Sequence, residues 1–327
     1  MIERLLTYES GSFDPFLNLA TEQHLLDTVK GGCCLLYLWQ NQNTVVIGRN
    51  QNPWAECRSS LLESEGGHLA RRLSGGGAVF HDRGNLNFTF LVPTEDYDLG
   101  KQQRVLLEAC RSVGIPAELS GRNDLTAEGR KFSGNAFYHN GPRSYHHGTL
   151  LVDVDREKLS RYLTPTKAKL EAKGVPSVRS RVVNLIELCP TLTIEGLKQA
   201  LVAVFEAIYG LKSQPRTFTA ADEKRIKELR ETYASWAWRY GQRLPFTCRA
   251  EGRFSWGEVE IQLDVDQGTI RAARVYTDAM DHDLAARVEA ALLECTYQRE
   301  TMFQALAASC LAQDVQDDLM SLFDPLF

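Results

Sequence analysis

The stretch LARRLSGGGAVFHDRGNLNFTF, residues 69–90, constrains this chain more than any other. Three consecutive glycines, Gly75, Gly76 and Gly77, stand between an arginine pair and two short apolar runs. Glycine loses more backbone freedom on folding than other residues, so a triplet marks a sharp bend or a place where something approaches the backbone closely. Two familiar uses fail. A phosphate-binding P-loop needs G-x-x-x-x-G-K-[ST], and no lysine follows the triplet. A dinucleotide fingerprint needs a helix after its glycines, whereas AVFHD alternates as a strand does. What remains is a glycine turn entering a strand. Either it is a tight hairpin turn with surface arginines, or its N–H groups form an anion-binding concavity beside a guanidinium able to clamp phosphate.

Bulk properties narrow the field. With 327 residues the chain can hold a large core and a second domain. A net charge of −5 and a pI near 5.9 give no field that would favour nucleic acid or an anionic membrane. No apolar stretch reaches the roughly 20 residues of a spanning helix, and the N-terminal residues lack a signal-peptide core. The expected location is the cytoplasm. Eight cysteines are scattered without a C-x-x-C pair. Their spacing fits small buried hydrophobes better than a zinc site or a disulfide framework.

Periodicity outlines the elements. Asp14 is placed to cap a helix with Pro15 in its first turn, and Phe16, Leu19, Ala20, Leu26 and Val29 recur at helical spacing until Gly31. CCLLYLWQ and TVVIGR read as paired buried strands joined by NQN, and PWAECRSSLLESEGG as one helix. AVFHD and LNFTFLV read as a hairpin about Arg83 and Gly84. A helix at GKQQRVLLEACRSVG leads to the strands of RNDLTAEGRKFSGNAFYHN and SYHHGTLLVDV. Residues 165–181 form a basic loop carrying Lys167, Lys169, Lys173, Arg179 and Arg181, followed by the helix TIEGLKQALVAVFEAIYG. Beyond Pro245 the texture changes to a three-stranded meander and two or three helices. The expected division is a domain over 1–245 and a small one over 246–327. Hairpins outnumber β-α-β units, which argues for an α+β fold with a largely antiparallel sheet.

Further residues invite chemistry. If GRKFSGNAF is a strand, Lys131, Ser133 and Asn135 share one face and Phe132 and Ala136 the other. Lys131 is then either a fixed cation for a carboxylate or phosphate, or a solvated surface residue. Asp124, within RND, could hold Mg²⁺ with nucleotide phosphates or simply cap a turn. His81-Asp82 and His146-His147 are adjacent pairs pointing to opposite faces of a strand, so neither makes a convergent metal site, although His81 or His147 could act as a base. G-x-S-x-G is absent. The chemistry reads as charge positioning without a covalent enzyme intermediate.

Taken together, RRLSGGGAVFHDRGNLNFTF, TVVIGRNQNPWAEC, GRNDL, GRKFSGNA, HHGTLL and KGVPSVRSRVVNL resemble the bacterial lipoate–protein ligase A family, in order along nearly the whole chain. The resemblance implies a biotin/lipoate ligase-type α+β domain with a mixed, mostly antiparallel sheet and a small α+β C-terminal accessory domain. It implies ATP, Mg²⁺ and (R)-lipoate, a lipoyl-AMP intermediate, and transfer to a lysine on the lipoyl domains of 2-oxoacid dehydrogenase acyltransferase subunits or on the glycine cleavage H protein. Arg71, Gly75, Gly76, Gly77, Ala78, Val79, Asn123 and Lys131 are then expected on ATP and lipoyl-AMP. Ser74, His81, His147 and Lys131 are expected on lipoate, with Lys131 as the catalytic residue and Asp124 as the Mg²⁺ ligand. The basic loop matches the family's adenylate-binding loop, and LLYLW and TVVIG are candidates to line the acyl tunnel. Phe132 stands where the family usually has a smaller aliphatic residue, which bears on pocket width. The rival readings are a transferase that takes preformed lipoyl-AMP, an octanoyl- or lipoyl-transferase with a cysteine nucleophile, and a non-catalytic lipoyl-binding protein. The thiol route is disfavoured by the lack of a cysteine in the glycine motif or at position 131.

Overall fold

The protein is described by a computed structural model over residues 1–121, 124–164, 182–241 and 246–324. Asn123 and the basic loop 165–181 therefore lie outside the described residues. The chain divides into two compact units. One comprises Met1–Val46, Trp54–Arg71 and Val79–Arg239; the other comprises Ile47–Pro53, Arg72–Ala78 and Tyr240–Phe327.

In the first unit, β2 (Cys33–Trp39) is buried at every position. A strand with no polar face has to sit inside a sheet that is covered on both sides. It lies between β1 (Arg4–Glu9), which runs parallel to it, and β6 (Asn85–Pro93), which is antiparallel. The eight-stranded sheet runs β11 (Ser213–Pro215), β1, β2, β6, β10 (Arg143–Leu151), β9 (Arg130–Asn140), β8 (Asp124–Ala127) and β7 (Ala117–Ser120). Only the β11–β1 and β1–β2 pairs are parallel, so the sheet is mixed and mostly antiparallel. Helix α1 (Pro15–Thr28) begins where Asp14 accepts from the Phe16 and Leu17 N–H groups, and packs against β6 and β10. Helix α4 (Leu99–Ser112) and helix α6 (Ile194–Tyr209) join the sheet through a core that includes Phe88, Phe90, Val105, Leu106, Leu201 and Phe205.

Three expectations fail, all for long-range reasons. CCLLYLWQ and TVVIGR do not pair with each other. β3 (Thr44–Ile47) belongs to a separate three-stranded sheet between β4 (His68–Arg71) and β5 (Val79–His81). For the same reason AVFHD and LNFTFLV form no hairpin: β5 pairs with β3, while β6 takes its partners from β2 and β10. The single helix over 53–66 is two short ones, α2 (Pro53–Glu56) and α3 (Ser59–Ser64), because Cys57 makes a β-bridge to Leu163. Periodicity also missed β1, β4 and helix α7 (Ala220–Ala234), which packs on α1.

In the second unit, β12 (Cys248–Phe254), β13 (Gly257–Asp266) and β14 (Thr269–Thr277) form the expected antiparallel meander. Its apolar face, including Val259, Ile261 and Val275, packs with Leu292, Met302 and Phe323 from the three helices that follow. Segments 47–53 and 72–78 belong to this unit through backbone bonds: the Thr277 N–H donates to Asn50 O and the Gly76 N–H to Ala279 O. Among the described residues no helix is long and apolar enough to cross a membrane, and all eight cysteines are free.

Candidate functional site

The glycine turn is built around Arg72. This side chain is only 6% exposed and donates from Nε to Ser74 Oγ (3.0 Å) and from Nη2 to Gly75 O (2.7 Å) and Gly77 O (2.8 Å). Its backbone N–H reaches Ile47 O, and the Arg49 N–H reaches Ser74 O. Gly76 has φ of 88°, a region that side-chain-bearing residues rarely adopt. A Cβ at Gly75 would collide with Ala279 O. The guanidinium thus occupies the carbonyl oxygens of Gly75 and Gly77. Among the described residues, the N–H groups of Gly77 and Ala78 donate to nothing. A turn with capped carbonyls and uncommitted N–H groups presents positive partial charge and suits an anion.

The neighbouring Arg71 does something else. It ends β4, 7% exposed, and donates to Trp238 O (2.9 Å) and Arg239 O (2.8 Å), while Trp238 Nε1 donates back to Arg71 O (2.9 Å). It therefore ties down α8 (Trp236–Tyr240). Arg71, expected on the nucleotide, thus bonds the carbonyls of α8, while Arg72, to which the sequence reading gave no role, holds the glycine turn. The missed signal was parity: consecutive side chains at a strand end point to opposite sides, so only one of the two reaches the turn. Ser74, expected on lipoate, is fully buried and receives Arg72.

In the first unit, Lys131 Nζ lies 2.7 Å from Asp124 Oδ1, with the two side chains 38% and 28% exposed. The amine sits over Gly134, where a Cβ would come within 3.1 Å of Nζ. The Lys131 carbonyl accepts from the Val183 N–H (2.9 Å). The expected alternation through GRKFSGNAF is broken. Leu125 pairs with Ser133 but Thr126 with Lys131, leaving Phe132 as the extra residue of a bulge. Phe132 and Ser133 are consequently both fully buried, and Phe132 belongs to the main core. Further along β9, Asn135 Oδ1 meets His146 Nε2 at 2.9 Å. His146 lies among Phe88, Phe90 and Phe137, and burial, followed by the neighbouring His147, pulls its pKa down to about 3.

A buried polar chain starts at the end of β2. Trp39 Nε1 donates to Thr89 Oγ1 (3.1 Å), which donates to Glu22 Oε1 (2.7 Å); the same oxygen lies 2.8 Å from His147 Nδ1. Glu22 is 2% exposed. Its position on α1, within the apolar repeat of that helix, gave no sequence signal. His81 Nδ1 lies 3.1 Å from Asn41 Nδ2, and its ring meets Trp39 edge-on at 6.1 Å. His81 and His147, on different strands, are thus both linked to Trp39. Val79 opens β5, half-buried. Among the described residues no group of three His, Cys, Asp or Glu side chains is arranged to hold a metal ion.

An eight-stranded mixed sheet of this order in one unit and a three-stranded meander followed by helices in the other are the architecture of a lipoate ligase-type α+β protein. The Lipoyl protein ligase A/B catalytic domain family matches residues 14–206, and the Bacterial lipoate protein ligase C-terminus family matches residues 244–321. The chain belongs to the lipoyl protein ligase A/B family. It is 40% identical over 304 residues to the lipoate-protein ligase A of Psychrobacter cryohalolentis, an alignment covering 90% of each chain. Among solved structures, it resembles P. falciparum LipL1 in complex with lipoate, with a TM-score of 0.84 and 26% identity over 97% of this chain and 98% of that one. It also resembles a lipoate-protein ligase A bound with ATP, with a TM-score of 0.63 and 28% identity over 74% of this chain and 99% of that one. The bi-partite lipoate protein ligase of Thermoplasma acidophilum, studied with its E2 lipoyl domain, gives a TM-score of 0.65 and 26% identity over 76% of this chain and all of that one.

Proposed function

We propose that this chain joins lipoate to a protein lysine in two steps. A lipoate carboxylate oxygen attacks the α-phosphorus of ATP, forming lipoyl-AMP and releasing pyrophosphate. The ε-amine of the acceptor lysine then attacks the acyl carbon; the C–O bond to AMP breaks, an amide forms, and the amine gives up a proton. The observation that carries this reading is the glycine turn, whose Gly75 and Gly77 carbonyls are taken by Arg72 while the Gly77 and Ala78 N–H groups remain available.

Both steps build negative charge on phosphate and carbonyl oxygens, and fixed donors stabilise such charge without reorganising. In this reading Gly75 to Val79 and Asn123 line the nucleotide, with Arg71 in the same set. Lys131 supplies the mobile cation for the acyl carbonyl oxygen and the α-phosphate, leaving Asp124 to do so. Ser74, His81 and His147 serve the lipoyl group, (R)-lipoate being the substrate. Mg²⁺ commonly takes one or two carboxylates plus phosphate oxygens. Asp124 offers one, which suits a metal that arrives with ATP; the ion would neutralise phosphate charge. Residues 1–245 carry the catalysis, with 246–327 as accessory. The acceptors are lipoyl domains of 2-oxoacid dehydrogenases and the glycine cleavage H protein. Eight free thiols fit a cytoplasmic setting.

The test is ATP-dependent pyrophosphate release with lipoate alone, before any acceptor is added. Release by the wild type and its loss in Lys131→Ala are expected. Transfer from synthetic lipoyl-AMP without any such release would make the chain a transferase and overturn the ligase reading.

A further inference from the structure

A cavity of about 290 Å³ opens at the edge of the large sheet, where β11 and β1 meet the C-terminal end of α1. Leu6 and Leu35, paired across β1 and β2, form its floor, and Val29 forms a wall. Three cations line it: Arg4, two residues before Leu6 on β1, Lys30 just past α1, and Arg216 just past β11. No carboxylate lines the cavity. Among the described residues none lies within ion-pair distance of Arg4 or Lys30, and Arg216 has Asp222 at 3.5 Å. The buried Cys33 thiol lies in the same wall. Three like charges around one hollow repel each other, and an anion seated among them relieves that repulsion.

We propose that this cavity is a second ligand site, for a small organic monoanion with an aliphatic body. The apolar floor takes the body, and Arg4, Lys30 and Arg216 take the acidic head. The volume is that of about ten water molecules in the liquid, so the ligand has a comparable number of non-hydrogen atoms. Apart from Leu35, within the stretch offered for the acyl tunnel, no lining residue belongs to the candidate site, and the proposal does not depend on the ligase reading.

The probe is hexane-1-sulfonate, which has the right size and an acid group that stays ionised. It is titrated calorimetrically into the full chain. Wild type and Lys131→Ala are expected to bind it alike at one saturable site. The double variant Arg4→Glu/Lys30→Glu changes two exposed side chains and is expected to weaken binding at least about tenfold while leaving pyrophosphate release and the unfolding midpoint as in wild type. Hexylammonium should not bind, and inorganic sulfate should bind much more weakly, because it leaves the floor uncovered. Absence of saturable binding, equal binding of hexylammonium, or full binding by the charge-reversed variant would overturn the proposal. Loss of binding in Lys131→Ala would assign the sulfonate to the catalytic site, with the same result. Sulfate binding as tightly as the sulfonate would remove the case for an aliphatic body.

Discussion

The glycine turn and the Lys131 strand each put a positive group beside glycine, but they are held in opposite ways. At the turn the cation is buried and faces inward: Arg72 binds the chain's own carbonyls, and what is offered outward is backbone N–H. On β9 the cation is a half-exposed ammonium resting on one carboxylate, at the outer end of a strand whose inner end is fixed by Asn135 and the neutral His146. The turn is therefore rigid before any ligand arrives, whereas Lys131 can exchange Asp124 for a better anion at little expense. Fixed dipoles suit a charge that stays in one place, and a movable cation suits one that shifts.

The contrast can be broken most severely at Arg72. Replacing it with alanine leaves the Gly75 and Gly77 carbonyls and the Ser74 hydroxyl without their buried donor, a loss on the order of 4 kcal/mol. The denaturation midpoint should fall accordingly, with pyrophosphate release lost even well below it. Arg72→Lys, which keeps the charge without the fork, should recover only part of this; full recovery would show that charge alone matters.

His146 gives the next largest effect, and its sign is set by a lowered folded-state pKa. Its stabilising contribution is complete above the unfolded value near 6.5 and is lost as pH falls toward about 3. Between pH 7 and pH 4 the loss is about 3 kcal/mol. His146→Phe should flatten the urea midpoint over that interval; parallel decline of variant and wild type would contradict burial of the neutral ring.

Gly75→Ala tests the turn from the packing side. Its new methyl meets the Ala279 carbonyl, and overpacking of this kind costs about 1–3 kcal/mol, readable as a shifted midpoint. The smallest effect belongs to Asp124→Asn. A partly exposed pair contributes under about 1 kcal/mol, so the midpoint should hardly move while the Mg²⁺ dependence of pyrophosphate release shifts upward. A large midpoint change there would mean that the lysine strand is as rigidly built as the turn.

Local patterns carried the sequence reading wherever the deciding contacts were local. Asp14 capping α1, the meander from Cys248 to Thr277 and the helical repeat of α6 all follow from spacing within one segment. Strand partners did not follow, because β2 and β3 are joined by a short turn yet go to different sheets according to what else must be buried. The site was legible in its residue types and less so in its geometry. The glycines and Lys131 stood out as motifs, but the turn-holding role of Arg72 depended on strand parity, and the bulge at Phe132 reversed the faces expected around it. Glu22 was hidden, since a buried carboxylate on a helix announces itself only through partners on other elements.

The parallel pairing of β1 with β11 has a consequence for how the chain is made. Leu5 faces Ser213 and Thr7 faces Pro215, so the outer edge of β1 waits for a partner encoded far downstream. During synthesis β1 and β2 can pair while that edge stays open, the kind of exposed strand that recruits neighbouring chains. Arg4 and Glu9 put a charge at each end of that edge, a feature that discourages pairing with other chains.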